Sequence, residues 1–220
     1  MAFGTAVVGE ISDESLTQAL HLTSDPTRFG VGVRLTVSVM SPNFAQVILG
    51  ALASVPTSVA QAVEVSTWVG GSEEHLLEYL TAVIGAVAES RFHSSITVHL
   101  SRGCPGGMDC ALPQGPGPRH VEPPVGADTG HWGSAEFALY PLGGAHMPAI
   151  YRAIEYTKQL GTFRASEHYV TRLEGDVGRV LQSVVGAWVL TGQDVQHVTS
   201  HVTLSINSPS HTTTSVKEVR

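Results

Sequence analysis

The second half of this chain repeats the first, and that duplication restricts its possible folds more than any other feature. Residues 94–105, "SSITVHLSRGCP", match 198–209, "VTSHVTLSINSP", with Leu100, Ser101 and Pro105 falling on Leu204, Ser205 and Pro209. Upstream, "VRLTVSVMSPNF" (33–44) lies over "AEFALYPLGGAH" (135–146), and "VEVSTWVGG" (63–71) over "EHYVTRLEGD" (167–176), which sets Thr67 on Thr171. A long helical stretch follows each, "EEHLLEYLTAVIGAVAES" and "VGRVLQSVVGAWVLTG". A repeat of this length means two copies of one supersecondary unit.

Each copy reads strand, helix, two strands, helix, strand. The first strand alternates Val33, Leu35 and Val37 with Arg34, Thr36 and Ser38, the period of a half-buried strand. The helix after it is predicted to start with Ser41 as N-cap and Pro42 at its first position. Its counterpart runs from about Met147 to Leu160 and stops at Gly161. Ser72 and Asp176 are N-cap types before the second helix of each copy. The order βαββαβ is that of ferredoxin-like folds, antiparallel sheets with helices on one face. The expected fold class is therefore α+β, with two tandem ferredoxin-like, ACT-like repeats.

The predicted organisation is an N-terminal extension (1–28), a first repeat (29–106), a Pro/Gly-rich linker (107–133), a second repeat (134–211) and a C-terminal tail (212–220). Within the extension, "ISDESLTQALHL" has the pattern of a short helix with no assigned role. With 42% hydrophobic and 14% charged residues the chain is not a disordered one. A net charge of −7 argues against nucleic acid and anionic membrane surfaces, since both call for a basic footprint. No apolar run reaches spanning length and no basic leader precedes one, so the expected location is cytoplasmic. Cys104 and Cys110 are too few for a disulfide framework.

The segments "FALYP", "AIEYTKQLGTF", "HYVTRLEGD" and "VTLSINSPS" of the second half, with "GVRLTVSV" and "RGCPG" of the first, resemble the YkoF family of proteins that bind thiamine and its hydroxymethylpyrimidine precursor. The resemblance spans roughly residues 28–211. It implies a homodimer, a pocket in each repeat, and a link to vitamin-precursor uptake, with a transporter as further partner. The family's aromatic and proline after the first strand stand as Tyr140 and Pro141 in the second repeat but as Ser38 and Val39 in the first, where Trp68 is a neighbour able to substitute.

Strand parity places a polar set on the helix-free face: Arg34, Thr36, Ser38, Glu64, Ser66, Trp68, His99 and Ser101, then Glu136, Tyr140, His168, Arg172, His201, Thr203, Ser205 and Asn207. An aminopyrimidine carries an amine, ring-nitrogen acceptors and a flat π-face. It asks for an acceptor such as Glu136 or Glu64, donors such as Ser205, Ser101 or Asn207, and a wall such as Tyr140 or Trp68. Thr67 and Thr171 have the opposite parity, yet their matched placement gives them a candidate pocket role. The expected ligand set is thus Arg34, Ser38, Glu64, Thr67, Trp68, Ser101, Glu136, Tyr140, His168, Thr171, Ser205 and Asn207. The proline turns after the last strands shape a pocket mouth with Ser101 and Ser205 pointing in.

The eleven histidines show no ligand spacing with Cys or acids, so no metal or other cofactor is expected. "GGSEEH" has neither the spacing of a nucleophile elbow nor the lysine of a phosphate loop, so catalysis is not expected. The competing readings are a regulatory or interaction module that uses its open sheet face, and a small ferredoxin-like enzyme.

Overall fold

The computed structural model describes residues 13–55, 60–104, 117–143 and 146–211. Along the chain lie α1 (Asp13–Ser24), β1 (Gly32–Val39), α2 (Phe44–Ala53), β2 (Ala60–Ala62), β3 (Thr67–Gly70), α3 (Glu73–Glu89) and β4 (Ser94–Arg102). The second unit comprises β5 (Trp132–Leu142), α4 (His146–Gln159), β6 (Phe163–Ser166), β7 (Thr171–Asp176), α5 (Val177–Thr191) and β8 (His197–Ile206). Both units are βαββαβ, as the repeat predicts. Their strands form one sheet rather than two, in the order β2-β3-β1-β4-β8-β5-β7-β6. Every pairing is antiparallel.

Strand register confirms the internal match residue by residue. Val33 pairs with Leu100 as Ala135 pairs with Leu204. Leu35 pairs with Thr67 as Phe137 pairs with Thr171. Where the units meet, β4 pairs with β8 and Val98 faces Val202, which are each other's equivalents. A pseudo-twofold axis therefore passes through that pair.

The alternation works as expected: Val33, Leu35, Ile96, Val98, Leu100, Ala135, Phe137, Leu173, Val202 and Leu204 are buried under the helices. These residues belong to a single hydrophobic cluster shared by both units. Merging the sheets lets α3 and α5 pack side by side across the seam and bury a joint core, which two small separate cores would do less well.

Ser72 caps α3 by accepting from the His75 N–H at 3.2 Å. Asp176 caps α5 through Gly178 N at 2.7 Å. The start of α2 differs from expectation. Ser41 Oγ accepts from the Asn43 N–H at 3.1 Å, a turn before the helix, and the helix proper opens at Phe44. The hydroxyl is satisfied locally one step early, the usual competition between short polar side chains and a helix start.

The linker also does more than span. Arg119 is buried and its guanidinium bonds both oxygens of buried Glu73, at 3.0 and 3.3 Å, and the Thr23 carbonyl at the end of α1. Arg102, fully buried at the end of β4, places Nη1 3.4 Å from Glu73 Oε1 and bonds the Arg119 carbonyl. Burial pulls Arg102 down to about 10, against the opposing pull of Glu73, and Arg119 lowers it further; it stays a cation at neutral pH. This triad ties the N-terminal helix and the linker to the first repeat.

Asp176 ties the linker's far end to the second repeat by accepting from the backbone N–H groups of Thr129 (3.0 Å) and Gly130 (2.7 Å) besides Gly178. Burial alone would raise its carboxyl, but the N–H groups of Thr129, Gly178, Gly130 and Arg179 overcome it and hold it below the ordinary value of 3.8. Losing cap and anchor together, Asp176→Ala is expected to cost about 2 kcal/mol. Because the folded value is depressed, this contribution is complete above the ordinary value and disappears as pH falls through the folded one. The gap between parent and variant in urea melts should therefore close between neutral pH and about pH 2; a gap unchanged over that range would refute the assignment.

Candidate functional site

On the helix side of the first repeat, a cleft of about 270 Å³ opens between the end of β1, α2 and the 63–66 turn. Its apolar walls are Leu35 and Val37 from β1, Ile48, Leu49 and Leu52 from α2, and Val63 and Val65 from the turn. Glu64 sits among them and Thr67 lies at the buried end, 8% exposed. The volume is near the low end for small-molecule sites, about 300 Å³, and suits a single flat ring with an appendage.

Why these walls remain open is legible in α2, "FAQVILGALA". The helix is apolar almost all round, yet Ala51 is its one fully buried residue. Leu49 on α2 and Val65 in the turn stay 66% and 76% exposed at the rim.

The pseudo-twofold carries these positions to Phe137, Tyr151, His168, Tyr169 and Thr171 in the second repeat. Leu49 and Tyr151 are each the sixth residue of their helix. Tyr151 and Tyr169 are exposed aromatics at the rim positions. Tyr169 holds a left-handed φ of 70°, costly for a tyrosine. Thr171, like Thr67, is nearly buried, at 7%. The two threonine hydroxyls have no hydrogen-bond partner among the described residues. Neither hydroxyl is among the buried polar atoms left without a partner, so each still reaches open space and can bond a molecule in the cleft, at the same place in both repeats.

The helix-free face carries a second pocket, of about 340 Å³, lined by Arg34, Trp68, His99 and Ser101 from the first repeat and by His197 and Thr199 of β8. Trp68 lies opposite Arg34, its direct cross-strand partner, and not beside Ser38, which is four residues further along β1, so the expected stand-in for the missing aromatic is not placed there. The dyad-related place in the second repeat is unlike it. Glu136 replaces Arg34 and Arg172 replaces Trp68, with Arg172 held by Glu167 and Glu174 at 3.6 and 3.2 Å. Ser205, the equivalent of Ser101, is 3.1 Å from His93 Nε2.

The expected ligand residues therefore separate into groups. Glu64 and Thr67 meet in the helix-side cleft, and His168 and Thr171 hold the matching positions. Arg34, Trp68 and Ser101 meet in the sheet-face pocket. Tyr140 pairs with Thr199 at that pocket's margin, about half-exposed, whereas Ser38 is exposed near the other end of the face. Glu136 is exposed beside Arg172. Glu64, Ser66 and His168 stand in the turns between short strands rather than on the sheet.

Asn207 has another task. Its φ of 52° turns it off the strand, and its amide donates to the Ala88 and Phe92 carbonyls at 2.8 and 3.3 Å, closing the C-terminus of α3. Sequence reasoning missed the rim residues Leu49, Val65, Tyr151 and Tyr169; the apolar excess of α2 was their one visible sign. Among the described residues no group of three or more His, Cys, Asp or Glu is placed to hold a metal. Cys110 lies outside the described residues.

These features define a duplicated α+β protein with one eight-stranded sheet and an equivalent cleft position under each half. Residues 30–107 and 133–211 match the YKOF-related family, one match per repeat, and the chain belongs to that family. It is 30% identical over 182 residues to the Bacillus subtilis (strain 168) protein named "Putative HMP/thiamine-binding protein YkoF", an alignment covering 81% of this chain and 91% of that one. No helix among the described residues is long and apolar enough to cross a membrane.

Proposed function

We propose that this chain binds thiamine or its hydroxymethylpyrimidine precursor, without transforming it, in the helix-side cleft of each repeat. The observation that carries this reading is the pair Thr67 and Thr171, nearly buried residues whose unpartnered hydroxyls stay open to the cleft at equivalent positions. A duplicated site should recur at equivalent positions, and the sheet-face set does not, because Arg34 is matched by Glu136 and Trp68 by Arg172. The relative's name supports the ligand class.

In the first cleft the aminopyrimidine ring lies between Ile48, Leu49 and Val65, and Thr67 bonds a ring nitrogen. Glu64 accepts from the exocyclic amine or faces the thiazolium charge. In the second, His168 takes the place of Glu64, and Tyr151 and Tyr169 offer aromatic faces to the ring and the cation. The two sites should therefore differ in preference, the first favouring the cationic ligand. We further read the protein as a cytoplasmic homodimer serving precursor uptake or salvage, together with a transporter. The family likeness supports this, and light scattering tests the dimer.

Calorimetric titration with each compound should give two unequal sites per chain. Thr67→Val and Thr171→Val should each weaken one site about 5- to 10-fold, the worth of one hydrogen bond. Glu64→Gln should weaken thiamine more than hydroxymethylpyrimidine. No saturable heat with either compound on folded protein would overturn the reading.

A further inference from the structure

The sheet-face pocket carries a ligand chemistry of its own. Gly32 and Gly70, side by side on β1 and β3, leave bare backbone at its floor. The Trp68 indole lies across both: a Cβ on Gly70 would come within 2.7 Å of the ring and one on Gly32 within 3.1 Å. Side chains at either glycine would displace the indole, so the glycines set the aromatic wall of the pocket. Around that wall stand donors: the Arg34 guanidinium, the His99 and His197 imidazoles, and the Ser101 and Thr199 hydroxyls. Among the described residues no carboxylate lines it.

In a chain of net charge −7, Arg34, like Arg28 and Arg91, is an arginine with no carboxylate within 4 Å among the described residues, and of these three it is the one that lines the pocket. Arg102, Arg119, Arg152, Arg164, Arg172 and Arg179 each have a carboxylate within 4 Å. Arg34 has instead one side-chain bond, to the neutral Ser66 hydroxyl at 3.0 Å. Arg34 pairs across the strands with His99, and Ser101 with Thr199, so the donors form two adjacent rows.

We propose that this pocket binds an aromatic phosphomonoester, with its ring against Trp68 and its phosphate held by Arg34, His99, Ser101 and Thr199. A planar guanidinium matches phosphate oxygens two at a time. The several surrounding donors exceed what a two-oxygen carboxylate can use, while the three terminal oxygens of a phosphate can take them. The pocket draws on both repeats through β8, yet it exists in one orientation because the dyad-related place holds Glu136 and an ion-paired Arg172. It is separate from the helix-side clefts and does not rest on the thiamine reading.

Beside His99 stand Arg34 on β1 and His201 on β8, while His197 and Cys104 line the same pocket. Burial first, then His201, then Arg34 hold His99 below its ordinary value, and burial does the same for His197. A bound dianion opposes that trend, so binding takes up protons and affinity rises as pH falls, until the phosphate's own second ionisation at about 6 removes the dianion.

The test titrates tryptophan fluorescence of the full chain with phenyl phosphate, and with phenol, benzoate and inorganic phosphate as controls. Saturable quenching by phenyl phosphate is expected, at least 10-fold weaker in Arg34→Gln and in His99→Gln, lost in signal in Trp68→Phe, and unchanged in Thr67→Val. That last variant separates this site from the thiamine clefts. Arg34 and His99 are exposed, so both variants should fold, which circular dichroism confirms. Absence of saturation, equal affinity for benzoate, or affinity unaffected by Arg34→Gln would each overturn the proposal.

Discussion

Glu73→Ala is expected to destabilise the protein by about 3–5 kcal/mol, the penalty for stranding buried charge. Glu73 is 3% exposed and faces two arginines, Arg102 at 0% and Arg119 at 8%. Removing the carboxylate leaves both cations in the interior with nothing to balance them. Arg102 has no retreat, because its Nε already lacks a hydrogen-bond partner. Against a total stability of about 5–15 kcal/mol for a domain, such a loss is severe.

The variant should also release the segment from Arg119 and the end of α1, since the Thr23 carbonyl is held through the same guanidinium. Urea unfolding measures the first effect, and protease cleavage near residue 119 the second. The second repeat supplies an internal control. Its equivalents of Glu73 and Arg102 are Val177 and Ile206, both fully buried and apolar. Replacing the whole triad by apolar residues of similar size should accordingly be near neutral, as ion-to-apolar exchanges often are. A loss below about 1 kcal/mol in Glu73→Ala would show that the triad relaxes toward water and is not the buried lock inferred here.

Trp188→Ala should be comparably damaging, about 3–5 kcal/mol for the truncated ring and the cavity it leaves. Trp188 is the largest fully buried side chain, on α5 beneath the seam of the two repeats. Its Nε1 donates to the Val198 carbonyl at 3.2 Å, and its ring lies 5.7 Å from the Arg102 guanidinium carbon. The substitution therefore opens a hole, orphans a backbone acceptor and strips a cation of its aromatic face. Trp188→Phe restores part of the volume and should recover about half the loss.

Because Trp188 and Glu73 both act on Arg102, their effects should not add. A double-mutant cycle should show a coupling of about 0.5–3 kcal/mol. Additivity within about 0.3 kcal/mol would mean the ring and the carboxylate serve the core independently.

The repeated order of strands and helices, the helix-facing parity of Val33, Leu35 and Leu100, and the caps Ser72 and Asp176 were all readable from the sequence. Each depends on local periodicity or on a side chain reaching a backbone group within a few residues, so neighbours along the chain are enough to specify it. Thr67 and Thr171 were legible for the same reason, as matched positions in a duplicated pattern.

What the tertiary structure alone decided involves partners far apart in sequence. The edge pairing of β4 with β8 made one sheet of two, and no local pattern distinguishes a strand edge that pairs within its own repeat from one that meets the other. Arg102, Glu73 and Arg119 look like ordinary surface charges until β4, α3 and the linker converge. Likewise Leu49 and Val65 became the rim of a cleft, and Gly32 and Gly70 the floor of a pocket, only through packing between elements. Duplication wrote the same fold twice, and the differences between its two halves lie in the side chains that the third dimension brings together.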